Sequence, residues 1–183
     1  MTIVFDFETG GVEPKHPSIQ LAAIAVGGDW QEVASFNQRI TFDMAQCDPK
    51  ALEMNHYDPA AWAEAASPAV TAARFATWSR PYQALTLTST RTGRQYTVAQ
   101  CAGYNVQFDQ PRLKALFGTS FMPCGFLMRC VLQRVLWHYD EHGGAPENFK
   151  LSTVAAALGI DTTGAHDALT DVRLTAAVYR ALR

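Results

Sequence analysis

The hydrophobic positions of the first forty residues fall into three runs separated by glycines. Residues 2–7 form a β-rich run that ends ahead of Gly10 and Gly11. Residues 18–26 are mostly apolar and close at Gly27 and Gly28, and residues 30–40 alternate between apolar and polar. Such runs joined by short connections predict an antiparallel meander. Asp58-Pro59 and Ser67-Pro68 each place a helix-capping side chain before a proline suited to the first helical position. They open an alanine-rich helical stretch expected to end near Arg80 and Pro81. Residues 83–89 and 95–101 alternate on either side of Arg91, Thr92, Gly93 and Arg94, which predicts a β-hairpin. Residues 113–117 belong to a helix, 121–124 to a short buried strand and 127–139 to a long amphipathic helix. A further helix over 151–158 stops at Gly159. The last helix covers 168–182, with Leu169, Val172, Ala176, Tyr179 and Leu182 on one stripe. Strands first, then strands alternating with helices, predict an α/β fold: a mixed sheet with helices packed on it.

Composition narrows the class. The chain has 183 residues, 48% of them hydrophobic and 17% charged, which is globular and fits one domain over 1–183. A formal net charge of −2 gives no bulk attraction to nucleic acid or to an anionic membrane, so any nucleic-acid chemistry must arise from a local arrangement. Cys47, Cys101, Cys124 and Cys130 form no C-x-x-C pair, which argues against a zinc ribbon or a disulfide framework and for a reducing cytoplasm. Asp6 and Glu8 interrupt the N-terminal apolar run too early for a signal peptide, and no stretch reaches the ~20 apolar residues of a membrane helix.

Three groups of acids stand out. Asp6 and Glu8 lie two apart on the first predicted strand, so both point to the face that Val4 shares, while Ile3, Phe5 and Phe7 point to the other. A strand this apolar is expected to be central, and two carboxylates at its end repel each other in a poorly hydrated place. Taken alone they would simply mark the strand's wet end. Far away, His166 precedes Asp171 by five residues. The two reach one site if Asp167 caps the last helix and His166 sits at or before its start. Asp109 follows a predicted strand, and Pro111 begins or kinks the helix there, because the residue before a proline avoids helical geometry.

Together these pieces resemble the DEDDh 3′–5′ exonucleases of the ribonuclease-H-like group, which includes polymerase proofreading subunits, ribonuclease T and oligoribonuclease. The D-x-E-T-G motif matches Asp6, Glu8, Thr9 and Gly10; the second matches Asn105, Phe108 and Asp109; the H-x-A-x-x-D motif matches His166, Ala168 and Asp171. The order and separation fit, over essentially the whole chain. There are departures: Tyr104 stands where many members carry histidine, Cys124 and Gly125 replace an Asp-Thr pair, and the hairpin near 83–101 is longer than usual. The resemblance implies a ribonuclease-H-like five-stranded mixed sheet flanked by helices, with that hairpin as an insertion.

It also implies a chemistry. Four acids around one point, meeting a phosphodiester, call for two divalent cations, and oxygen ligands suit Mg²⁺ or Mn²⁺. By resemblance Asp6 bridges the two, Glu8 and Asp171 hold the one that carries the nucleophilic water, Asp109 holds the other, and His166 is the general base. Gly164 would let the loop before His166 close on substrate. The expected reaction releases nucleoside 5′-monophosphates from a 3′ end, with DNA preferred to RNA. Thr9, Gly10 and Gly11 would present backbone amides to the terminal nucleotide and Val12 a wedge under its base. Asn105 would anchor the second motif or touch a phosphate, while Tyr104 and Phe108 could stack bases. Arg91 and Arg94 at the hairpin tip, with Arg80, would grip a backbone or only keep the edge soluble; a homodimer through the hairpin is the other option.

Two rivals remain. His138, Glu141 and His142 form the H-x-x-E-H pattern of inverted zinc peptidases, although a catalytic zinc needs a third ligand and His142 runs into Gly143 and Gly144. The other is an inactive nucleic-acid-binding module with the same fold.

Overall fold

The computed structural model of the protein describes residues 1–164 and 167–183. In chain order the strands are β1 (Thr2–Thr9), β2 (Ser18–Val26), β3 (Glu32–Arg39), β4 (Leu85–Thr88), β5 (Gln95–Val98), β6 (Gln100–Gly103) and β7 (Arg129–Cys130). The helices are α1 (Pro49–Met54), α2 (Pro68–Ser79), α3 (Val106–Phe117), α4 (Val131–His142), α5 (Leu151–Ala157) and α6 (Ala168–Ala181). Five strands form one mixed sheet in the order β3-β2-β1-β6-β7, and β4 and β5 pair separately as a hairpin. β1, β2 and β3 are antiparallel neighbours, while β6 runs parallel to β1 and β7 parallel to β6. This is the α/β, ribonuclease-H-like mixed five-stranded sheet with an added hairpin that the sequence predicts.

The sheet is apolar on both faces because helices cover both. On one side Val4, Ile24 and Ala102 pack with Val135 of α4, Val154 of α5 and Val172 of α6. On the other, Ile3, Phe5, Phe7 and Leu21 pack with Phe75 of α2 and Leu113 and Phe117 of α3. The side of β1 that carries Asp6 and Glu8 is therefore the side that α6 covers. Among the described residues no helix is long and apolar enough to cross a membrane.

Several boundaries differ from the sequence expectations. The third strand starts at Glu32 rather than residue 30, because Trp30 adopts a left-handed turn (φ 61°) that stacks its ring on Tyr179 of α6, 3.7 Å between centroids. Ser67 caps α2 as expected, its hydroxyl accepting from Val70 N–H at 3.3 Å, but Asp58-Pro59 opens only turns. A helix does begin at the equivalent Asp48-Pro49, where Asp48 accepts from Lys50 N–H at 2.9 Å. At six residues α1 is too short to show an amphipathic period.

The arm expected over 95–101 divides: its first half pairs with β4, and its second half enters the main sheet as β6. The strand expected at 121–124 is a single bridge, Cys124 to Ala99, and the edge strand lies further on as β7. That delays α4, which runs from Val131 to His142 instead of over 127–139. Helix α3 starts at Val106 and continues through Pro111. Tethers flank that proline: Gln110 donates to the Phe126 carbonyl at 2.8 Å, and Leu113 is fully buried.

Candidate active site

Three elements, β1, α3 and α6, bring acids to the C-terminal end of β1. Pairing of β1 with β6 runs from Thr2↔Gln100 to Val4↔Ala102. Further along, Phe7 N–H donates instead to Asp109 Oδ1 at 3.3 Å. Where the parallel ladder ends, the Asp109 side chain takes over as backbone acceptor, which fixes this buried carboxylate beside Asp6 and Glu8. At the other end of the sequence Asp167 caps α6, accepting from Thr170 N–H at 3.2 Å. Asp171 then lies in the first turn, its N–H donating to the Asp167 carbonyl at 2.9 Å. Gln20, register partner of Glu8, donates to Asp167 at 3.4 Å, and the two-bond Arg173–Glu32 ion pair (2.9 and 3.0 Å) holds α6 on β3.

The result is a set of carboxylate oxygens from Asp6, Glu8 and Asp171 that all lie within 4.8 Å of one another. Burial drives the pKa of Asp6 well above the ordinary carboxyl range, and the charges of Asp109, Glu8 and Asp171 add to it. Glu8 is pushed up to about 8 by burial first and then by Asp171, Asp167 and Asp109. Asp109 is pushed up to about 7 by burial, against the opposing pull of the Phe7 N–H and the Arg112 guanidinium. Burial and mutual repulsion thus disfavour the charged forms of these acids, a cost that a cation held among them would offset. The donors are hard oxygens, the ligands of Mg²⁺ or Mn²⁺.

The remaining predicted site residues divide. The Thr9 hydroxyl donates to the Gly11 carbonyl at 2.9 Å, and the Thr9 carbonyl accepts from Asn55 of the turn after α1 at 2.8 Å. Gly10 N–H is committed to the Pro17 carbonyl at 2.8 Å, so this amide does not face a ligand. A Cβ on Gly10 would meet the Cys47 sulfur and one on Gly11 the His16 ring, so the loop is built around two bare backbone positions. Val12 is 82% exposed and belongs to neither core cluster among the described residues. Asn105 precedes α3 without capping it by its side chain and stays exposed. Tyr104, expected to stack bases, is buried, and its hydroxyl donates to the Phe149 carbonyl at 2.8 Å. It is a wall of the site rather than an open platform. Phe108 lies under the Arg112 guanidinium at 4.1 Å. His166 lies outside the described residues.

A cleft of about 860 Å³ reaches from Asp171 past Asn105 to Met54, Asn148 and Lys150. Met54, Asn148 and Lys150 were not anticipated. Among the described residues lining the cleft Lys150 is the one cation, and no motif marks it, because its place follows from how α5 docks. The H-x-x-E-H residues end α4: His138 and His142 stack at 4.6 Å, and among the described residues no third ligand joins them. Arg112 is the other unanticipated residue, buried beside Asp109 with its Nε unpartnered and one nitrogen 3.4 Å from the Gly11 carbonyl.

The sheet order, the helices on both faces and the acids at the end of the central strand define a ribonuclease-H-like α/β fold. No family model matches the chain, and no curated protein matches it. Solved structures do. A moderately thermophilic exonuclease I from Methylocaldum szegediense superposes with a TM-score of 0.72 at 20% identity, over 100% of this chain and 40% of that one. E. coli exonuclease I in complex with a dT13 oligonucleotide gives 0.70 at 19% identity, over 98% and 40%. A zinc-ion-bound E. coli exonuclease I–single-stranded DNA complex gives 0.71 at 20%, over 96% and 38%. The chain thus spans about two fifths of the length of the proteins it superposes on.

Proposed function

We propose that this chain is a divalent-metal-dependent 3′–5′ exonuclease that acts on single-stranded DNA or short 3′ ends and releases nucleoside 5′-monophosphates. The observation that carries the reading is the meeting of Asp6, Glu8 and Asp171 within 4.8 Å, from opposite ends of the chain, on the fold of exonuclease I. The neighbours crystallised with single-stranded DNA, dT13 or dA16 favour DNA over RNA as substrate.

Two divalent cations in such a site would neutralise the scissile phosphate and stabilise the attacking and leaving oxygens of an in-line displacement. Asp6, Glu8 and Asp171 would hold one of them, with Asp6 shared, and Asp109 the second. His166 accepts the proton of the attacking water on its imidazole, whose ordinary pKa lies near operating pH. Val12 supports the terminal base, Thr9 and Gly11 shape the loop beneath it, and Lys150 adds positive charge along the cleft. The 3′-oxygen of the penultimate nucleotide departs as the hydroxyl of the shortened strand.

End-labelled single-stranded DNA, duplex DNA and RNA, digested in parallel with Mn²⁺, test the reading. Stepwise loss from the 3′ end of single-stranded DNA, abolished in Asp6→Asn, is expected. Internal cuts, or an undiminished rate in Asp6→Asn, would refute it, and faster loss from RNA would reassign the substrate.

A further inference from the structure

The hairpin of β4 and β5 is mostly solvent-exposed and pairs with no strand of the main sheet. Its register places Leu85 opposite Val98 and Leu87 opposite Tyr96, so these four side chains share one face. That face leans on segment 121–126. At the base the two are closed up, since a Cβ on Gly125 would touch both Leu85 and Val98 at 3.4 Å. Toward the tip they diverge and leave a groove of about 880 Å³.

The groove collects three aromatic rings, two of them exposed. Phe121 and Phe126 are 58% and 59% exposed, and Tyr96 meets Phe121 edge to face at 5.9 Å. Large apolar side chains left in water on one surface mark an interaction site. Among the groove's lining residues Arg94 carries the one charge, and Arg91, three residues earlier, stands just outside the groove at the exposed tip. Bases offer flat rings to stack on and a phosphate beside each one. A set of exposed rings bordered by arginines, with no acid among the lining residues, complements that pattern.

We propose that this groove is a second binding surface for single-stranded nucleic acid, separate from the acidic cleft. Phe121, Phe126 and Tyr96 stack bases, and Arg94 and Arg91 meet phosphates. The choice of occupant rests on the nuclease reading above; the groove itself does not. Gln110, next to Asp109 on α3, donates to the Phe126 carbonyl at 2.8 Å and so ties the groove's wall to that helix.

The test compares a long fluorescent oligothymidylate (about 20 nucleotides) with a short one (about 4) on the full chain, by anisotropy in chelator and by cleavage in Mn²⁺. Phe121→Ala/Phe126→Ala should weaken the long strand about tenfold or more and leave cleavage of the short one unchanged. Arg91→Ala/Arg94→Ala should flatten the salt dependence of long-strand binding by about 1.4 in the log–log slope. All four side chains are exposed, so folding, checked by circular dichroism, should be untouched.

If wild type cleaves the short strand but neither variant changes long-strand affinity, the groove proposal is overturned and the nuclease reading stands. If wild type cleaves nothing yet binds the long strand through these residues, the nuclease reading falls and the groove remains. Variants that bind normally but turn a dimer into monomers would also overturn it, making the groove a self-association surface.

Discussion

Two openings of nearly equal size, about 860 and 880 Å³, lie on this molecule. One is lined by Asp171, the member of the carboxylate cluster that α6 contributes; the other is a wedge of aromatic rings tipped with arginines. Volume does not tell them apart; charge and its cost do. The acids sit where burial and mutual repulsion raise their pKa values, an arrangement that costs stability. The rings sit in water, where each is individually tolerable and only their grouping is unusual. The acidic opening is built against stability, whereas the aromatic one is merely left uncovered.

The sharpest way to break this contrast is to remove charge from the acidic opening. Asp6→Asn should lower Mn²⁺-dependent cleavage by about a thousandfold or more while raising the melting temperature in chelator, because a buried acid that folding must neutralise is gone. A fall in that melting temperature would mean the cluster is structural. His166→Ala should lower kcat by about a hundredfold to ten-thousandfold with little change in KM, read from single-turnover rates.

A third test uses pH. Folded Glu8 holds its proton up to about 8, against an ordinary 4.5. Its contribution to stability is therefore complete below about 4.5 and is lost as pH rises through about 8. Metal-free protein should lose on the order of 5 °C in melting temperature from pH 5 to 8, and Mg²⁺ should restore most of it at the upper end. A flat profile would show that the acids do not repel as the geometry requires. The smallest effect is expected at Val12. With its side chain 82% exposed, Val12→Ser should leave stability unchanged and raise KM only a few-fold in a cleavage assay. A loss of stability there would place Val12 in the core and end its role as wedge.

Part of this was legible in the chain because the signals were local. Asp6 and Glu8 break an apolar strand at a spacing that fixes their common face, and Asp167 carries its capping function in its own side chain. The same capping logic points to a helix at Asp58-Pro59, where turns form, and passes over Asp48-Pro49, where α1 forms. A cap permits a helix; packing decides whether one follows. Segment 121–130 was misplaced for a related reason: its strand is two residues long, and pairing with the edge of β6 creates it rather than any period of its own.

The sequence by itself determined the strand and helix periods, the central place of β1 and the identity of the acids, since each is written in residues a few positions apart. Tertiary structure alone decided that Asp171 comes within 4.8 Å of Asp6 and Glu8, that Arg112 lies buried beside Asp109, and that Lys150 lines the cleft. It also decided that Tyr104 is a wall and that three aromatic rings share one groove. Those facts depend on the distance between segments far apart in the chain, which no local pattern encodes and which only the packing of helices on both faces of the sheet sets.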